Sequence, residues 1–394
     1  MTNKRYLTHV VSEDLNEKMV FIGGPRQVGK TTLATDLIST TCHNAIYLNW
    51  DDLADKETIL QKRWSPDNDL IILDEIHKYP FWKTFVKGVF DKQKKRHRFL
   101  ITGSARLDLY RKGGDSLQGR YFYYRLHPFS AQEVAIGRLN KTRPSPFDAL
   151  QFERTIDQQV IDALYRFGGF PEPFLKQSQR ALGRWQQNRN ERLLREDIRE
   201  LEPVREIGKL AMLHHALPHR AGQLLSLNAL KEDVSASYSG VSHWMDILES
   251  FYYCYRIYPY TTNTVKSLKK EPKLYLWDWS EVRDEGSRFE NMIAGHLLKF
   301  CHFLRDYEGL DMQLHFVRDK DKRELDFLVC VADKPWFGVE VKTTDTQIAS
   351  SLRSLKNIVK VPFVYQVLKK PDVDYEDDHN IRVMSANKFL SALI

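Results

Sequence analysis

The chain has 394 residues, 42% of them hydrophobic and 28% charged, which sets an expectation of two to three domains at about 150 residues each and excludes an intrinsically disordered chain. The formal net charge is +7, a modest basic excess that suits a polyanionic partner without requiring one. No apolar run reaches the roughly 18 residues of a membrane-spanning helix; the N-terminal MTNKRYLTHVVSEDLNEK has no apolar signal core; and Cys42, Cys254, Cys301 and Cys330 form neither a CxxC pair nor a zinc spacing, so a reducing, cytoplasmic location is expected.

The first part of the chain alternates strands and helices. MVFIG (19–23), AIYLNW (45–50), DLIILDE (69–75) and RFLITGS (98–104) are short apolar runs bounded by polar turns, with helix-like stretches between them. That is the pattern of a parallel sheet covered by helices on both faces. YFYYRLHPF (121–129) reads as a fifth strand, which Pro128 ends or confines to an edge. KTRPSPF (141–147) carries two prolines and no periodicity and reads as a boundary. Residues from about 150 to 265 read as mostly helical, and from about 272 onward helix and strand alternate again.

The phosphate-binding signal is specific. Gly24-Pro25-Arg26-Gln27-Val28-Gly29-Lys30-Thr31, followed by Thr32, fits G-x-x-x-x-G-K-[ST] and lies between a strand and a helix, as the Walker A motif requires. Glycines let backbone N–H groups close around phosphate oxygens, and the helix N-terminus adds positive potential. Lys30 is expected on the β- and γ-phosphates of ATP, and the Thr31 hydroxyl on Mg²⁺. LIILDE then ends a buried strand in two acids. Asp74 is expected to hold Mg²⁺, directly or through water, and Glu75 to deprotonate the attacking water. A glutamate directly after the aspartate favours hydrolysis over binding alone. The end of FLITGSA offers Thr102 and Ser104 as hydroxyls that position water; a plain turn is the alternative. Arg120, just before the fifth strand, is either an arginine finger toward a neighbouring subunit's γ-phosphate or a surface arginine, and Arg26 is a rival phosphate contact.

GPRQVGKTT, LDEIHK, LITGSA, GRYFYYRLHPFS and GGFPEP, in that order, resemble a widespread group of prokaryotic AAA+-type ATPases with a poorly characterised C-terminal region. The resemblance covers most of the chain. It implies an AAA+ core with Lys30, Thr31, Asp74, Glu75 and Arg120 in the roles above, and a homo-oligomer, with a hexamer as the candidate, because AAA+ sites usually sit between subunits.

In the middle of the chain, Arg180, Arg184, Arg189, Arg192, Arg195 and Arg199 recur at helical steps. They form either a solvated face paired with Glu191, Glu196 and Asp197 or a contact to DNA phosphates or a neighbour's nucleotide. DKQKKRHR (91–98) carries the same two readings. LNALKEDVSASYSGVSHWMDILESF resembles a helix-turn-helix, and a winged-helix module, for DNA binding or for packing, accords with the family resemblance. His214, His215 and His219 lie close together but lack partners at metal spacing.

The last part places acids on a defined frame. SRFENMIAGHLLKFCHFL forms an amphipathic helix with Glu290 at the edge of its apolar stripe. Three strand-like runs follow, MQLHFVRD, RELDFLVCV and WFGVEVKT. Period-two alternation puts Glu340 and Lys342 on one strand face, within reach of Asp326 on the neighbouring strand. Glu290, Asp326 and Glu340 could hold Mg²⁺ or Mn²⁺ and, with Lys342, activate water against a phosphodiester. This resembles the PD-(D/E)XK nuclease fold, although Glu324-Leu325-Asp326 lacks the usual proline and a fold with structural or inactive acids is the alternative.

The expected architecture is therefore α/β throughout. It comprises an AAA+ P-loop core (1–140), a helical lid (148–202), a winged-helix-like domain (203–268) and a PD-(D/E)XK nuclease-like domain (272–394). The expected activity is ATP hydrolysis coupled to binding and remodelling of DNA, duplex, branched or a Holliday junction, with a metal-dependent nuclease-like domain and no membrane partner. The rivals are a nucleotide-dependent signalling switch and a DNA-binding regulator whose nuclease-like domain is inactive and binds a partner.

Overall fold

The apolar runs between residues 19 and 125 become five parallel strands: β1 (Met19–Gly23), β2 (Ala45–Asn49), β3 (Leu70–Asp74), β4 (Arg98–Thr102) and β5 (Tyr121–Arg125), in the order β2-β3-β4-β1-β5. Every residue of β1 and β3 is buried, as a sheet covered on both faces demands. Alternate residues face one layer: Met19, Phe21, Ile71, Leu73, Phe99 and Ile101 pack with Trp82, Val86, Val89 and Phe90. The strand at one edge, β5, ends at Arg125, ahead of Pro128. The helices around the sheet include α1 (Thr8–Asp14), α2 (Lys30–Thr32), which continues through a π-type helix over Leu33–Ile38, α3 (Leu53–Gln61) and α4 (Trp82–Gln93).

This computed structural model describes residues 5–103, 117–136, 144–198, 206–261 and 270–394. They fall into two compact units, Met1–Pro128 and Phe129–Ile394. The second unit begins with helices: α5 (Ala131–Ile136), α6 (Gln158–Phe167), α7 (Pro171–Lys176), α8 (Gln179–Arg192), α9 (Ile207–Ala216), α10 (Leu227–Asp233) and α11 (Tyr238–Ser250). A hairpin of β6 (Cys254–Pro259) and β7 (Lys273–Leu276) follows. Then come α12 (Glu285–Glu308), β8 (Met312–Arg318), β9 (Glu324–Val331), β10 (Lys334–Lys342), α13 (Ser350–Val359), β11 (Phe363–Leu368), β12 (Asp374–Glu376), β13 (Ile381–Ser385) and α14 (Ala386–Phe389). All eight strands share one sheet, ordered β12-β13-β11-β10-β9-β8-β6-β7.

The sheet changes the expected division of the chain. β6 was expected inside a separate module ending at 268, yet Tyr258 and Pro259 pair in parallel with His315 and Phe316 of β8. The 203–268 and 272–394 segments therefore contribute to one structure, because the hairpin completes a sheet edge that β8 would otherwise expose. The first compact unit ends at Pro128 and the second begins at Phe129.

Within the second unit, α11 starts where the Ser237 side chain accepts a hydrogen bond from the Gly240 N–H. It buries Val241, Trp244, Met245, Ile247 and Leu248, in a core shared with Leu210 and Leu213 of α9. The stripe expected on α12 is present: Phe289, Ile293, Leu297, Phe300 and Leu304 are all buried. α12 also holds α5, because the Ala131 N–H donates to His296 Nε2 at 3.0 Å and the Lys299 ammonium lies 2.6 Å from a Glu133 carboxylate oxygen. Lys299 and Glu133 are 2% and 1% exposed. Replacing Lys299 with methionine strands the Glu133 carboxylate without its cation. The expected loss is about 3–5 kcal/mol, read as a lower urea midpoint for the second unit, and Lys299→Met/Glu133→Leu should recover most of it.

Candidate functional site

The loop after β1 has the backbone of a phosphate cradle. Gly24 has φ 137° and Gly29 φ 94°, with Gln27 also left-handed at φ 60°. A Cβ on Gly24 would stand 2.4 Å from the Leu126 carbonyl oxygen, so only glycine fits there. Arg5 braces the loop from outside: its guanidinium donates to the carbonyls of Val28 at 2.6 Å and His127 at 2.5 Å. Lys30 is buried at the start of α2, and its ammonium donates to the Gly24 carbonyl at 3.0 Å and the Pro25 carbonyl at 2.8 Å.

Strand order brings the acids to this loop. β4 lies between β1 and β3, so the carboxyl ends of β3 and β4 open beside the cradle, where parallel sheets bind ligands. Asp74 is the meeting point. It accepts from Thr31 Oγ1 at 2.9 Å, Tyr47 OH at 2.8 Å and Thr102 Oγ1 at 2.6 Å. Burial and the Asp74 charge push the Tyr47 hydroxyl upward, which keeps it a donor. Glu75 follows in the left-handed region at φ 55°, and its N–H donates to the Thr102 carbonyl at 3.0 Å. Its side chain turns toward His77 and Lys78, at 3.5 and 3.8 Å. Burial raises the Glu75 carboxyl above the ordinary glutamate range, against the pull of Lys30. A Thr31 hydroxyl within 2.9 Å of an Asp74 oxygen is a hard-oxygen pair that fits Mg²⁺.

The remaining nucleotide-site expectations divide. Arg26 is half-buried in the loop, near enough to Glu75 to lower its carboxyl. Arg120 lies at the opposite end of the sheet from the loop, since Met19 at the start of β1 bonds to the Arg120 carbonyl; its guanidinium grips Asp91 through two bonds of 2.9 and 3.2 Å. It therefore stays clear of its own Lys30. Ser104 lies outside the described residues. Tyr47 was missed by sequence reasoning, because its partner is a cross-strand neighbour in a pairing that the local pattern does not encode.

A second cluster lies in the unit Phe129–Ile394. Glu290 of α12, Asp326 of β9 and Glu340 and Lys342 of β10 lie close together, with Lys273 among them. Lys273 at the head of β7 sends its ammonium among the acids, 3.2 Å from Glu290, 3.2 Å from Asp326 and 2.6 Å from Glu324. Tyr275 OH donates to the same Glu290 oxygen at 2.7 Å, and the Val341 N–H to Asp326 at 2.9 Å. Lys342 pairs with Glu340 at 2.7 Å. Burial, then the charge of Asp326, push Glu290 and Glu340 up to about 7. Burial works against the charge of Lys273, but Glu290, Asp326 and Glu324 outweigh it and the ammonium is held well above the usual lysine range. Glu340 Oε2 is buried with no hydrogen-bond partner among the described residues. Among those residues no group of three or more His, Cys, Asp or Glu side chains has the geometry of a metal ligand set. Glu290, Asp326 and Glu340 therefore do not jointly fit a divalent metal in this arrangement.

The other candidates are placed as follows. Arg189, expected on a charged face, is buried: it pairs with Glu281 at 3.3 Å and stacks on Phe170 at 4.6 Å. Arg192 and Arg195 form exposed pairs with Glu196 and Glu191, and Arg199 lies outside the described residues. In the 91–98 segment His97 and Arg98 are occupied by Asn68 and Asp69, which leaves Lys92, Lys94, Lys95 and Arg96 exposed. His214 stacks on Tyr253 at 4.1 Å, and burial holds it neutral.

The first site lies within a stretch that matches a known family. Residues 16–135 match the AAA domain family, and 158–281 and 285–389 match two domains of unknown function (DUF8612 and DUF4143). An uncharacterized protein of Mycobacterium tuberculosis is 24% identical over 355 residues, covering 85% of this chain and 73% of its own. One from Haemophilus influenzae is 21% identical over 371 residues, covering 85% of each. Among solved structures, the Thermotoga maritima RuvB Holliday junction branch migration motor is similar at TM-score 0.31 and 17% identity, over 67% of this chain and 93% of that one. The Aeropyrum pernix ORC1 protein in complex with DNA is similar at TM-score 0.30 and 12% identity, over 73% and 91%. The family match over residues 16–135 supports an AAA-type ATPase domain in that part of the chain. No helix among the described residues is long and apolar enough to cross a membrane.

The second cluster yields a pH dependence. Folded Glu290 and Glu340 keep protons up to about 7, whereas the unfolded groups release them near 4.5. Between these values the unfolded chain binds fewer protons, so stability falls as pH rises. Urea titrations across that window should show the decline in the wild type and a shallower one in Glu340→Gln; equal slopes would contradict the burial argument.

Proposed function

We propose that the chain is an ATP-hydrolysing AAA ATPase that acts on duplex or branched DNA as a cytoplasmic homo-oligomer. The observation that carries this reading is the convergence of Thr31, Tyr47 and Thr102 on Asp74, with half-buried Glu75 beside it. Thr31 and Asp74 would hold Mg²⁺, which supplies charge neutralisation at the β- and γ-phosphates. The loop from Gly24 to Thr32 surrounds the phosphates, with Thr102 near the attacking water. Lys30 exchanges the Gly24 and Pro25 carbonyls for phosphate oxygens. Glu75, made more basic by burial, takes the proton of the attacking water. Arg120 would leave Asp91 for the γ-phosphate of a neighbouring subunit, since it cannot serve its own loop.

The DNA reading is supported by the net charge of +7 and by two resemblances in the second unit. The helices α9, α10 and α11 followed by the β6–β7 hairpin resemble a winged helix. The order α12-β8-β9-β10-α13-β11, with β8, β9 and β10 antiparallel and β11 parallel to β10, resembles the PD-(D/E)XK fold. We assign this unit to holding DNA. Cleavage by Asp326, Glu340 and Lys342 with Mg²⁺ or Mn²⁺ would require the Lys273 ammonium to leave these acids.

Linear, forked and four-way DNA incubated with ATP and Mg²⁺ test this reading. Lys30→Ala should abolish hydrolysis, and Glu75→Gln should lower kcat about 10²- to 10⁴-fold while nucleotide still binds. DNA should stimulate wild-type hydrolysis, and salt should weaken its binding steeply. No stimulation by any DNA form removes the DNA reading.

A further inference from the structure

The acid cluster of the second unit already contains a cation. We propose that Lys273 is the resident counter-ion of this cluster, standing between Glu290 and Asp326 where a divalent metal would otherwise stand, so that the site takes no divalent ion and does not cut.

Four of the six oxygens on Glu290, Asp326 and Glu340 already have donors. Asp326 has both committed: Oδ1 to the Lys273 ammonium and Oδ2 to the Val341 N–H. Glu290 Oε1 receives Lys273 and the Tyr275 hydroxyl together. Glu340 Oε1 is taken by Lys342. A Mg²⁺ or Mn²⁺ ion asks for close to six oxygens in an octahedron. To collect even the three carboxylates it would have to expel an ammonium that three acids hold at 2.6 to 3.2 Å. Lys273 is 4% exposed, and moving it away without a replacement would leave a charged group in a desolvated place. Its backbone is fixed as well, since β7 is an edge strand paired with β6 and Lys273 lies opposite Ile257. Leu224 forms a further antiparallel bridge to Lys273. Nearby Gly222 has φ 77°, and a Cβ there would come 3.5 Å from a Glu290 oxygen, so the chain wraps closely around the acids on this side.

The inference concerns the acid cluster alone and holds whether or not the unit meets DNA. Its test is metal binding by the full chain without nucleotide, with Mn²⁺ as the probe and the free-ion electron paramagnetic resonance signal as the readout. Wild type and Glu340→Gln should give superimposable titrations. Lys273→Met, which empties the cation position, should bind at least about tenfold more tightly than wild type, and Lys273→Met/Glu340→Gln should return to the wild-type curve. Wild-type Mn²⁺ binding that Glu340→Gln removes overturns the proposal, as does a folded Lys273→Met that binds no more than wild type. If circular dichroism shows Lys273→Met unfolded, the comparison of wild type with Glu340→Gln decides alone.

Discussion

One buried carboxylate organises the ATPase unit. Asp74 receives hydroxyls from Thr31 after the loop, Tyr47 on β2 and Thr102 on β4. A buried acid without donors is costly, and each donor here comes from a different element. Satisfying Asp74 therefore aligns the carboxyl ends of β2, β3 and β4 with the start of α2. Glu75 inherits its place from this alignment, held by its N–H on the Thr102 carbonyl and by a left-handed backbone. The chemistry of the site follows from packing that the sheet enforces.

The two acid clusters of the protein are solved by opposite means. Around Asp74 the donors are mainly hydroxyls, which are neutral and can turn toward water or an ion when one arrives. Around Asp326 the principal donor is an ammonium on an anchored strand. The first arrangement can change its partner at little electrostatic cost, whereas the second would have to part a buried ion pair. Similar residue types thus make one site exchangeable and the other closed.

Much of this was legible in the sequence where the signal is local. The five apolar runs, the G-x-x-x-x-G-K-T loop and the acids ending β3 each carry their information within a few neighbouring residues, and the five runs form the parallel sheet. The stripe on α12 and the alternation of Glu340 and Lys342 were legible for the same reason. Tyr47 and Lys273 were not, because each acts across strands or elements distant in the chain, and register between distant segments is set by tertiary packing. A faint signal existed for Lys273: a lysine opens the apolar run KLYLW, where a charge is costly unless paired. The burial of Arg189 was hidden likewise, since helical spacing cannot tell a solvated arginine from one that meets Glu281 and Phe170. The hairpin's entry into the large sheet was hidden because β6 and β8 are joined through a long intervening stretch.

That hairpin has a bearing on descent. Residues 158–281 and 285–389 match separate families, yet β7 of the first lends its lysine to the acids of the second, and β6 closes the second's sheet. A recombination event that exchanged either segment alone would leave an unmatched charge on one side and an open strand edge on the other. Each segment therefore depends on the other for a buried charge partner and for a covered strand edge.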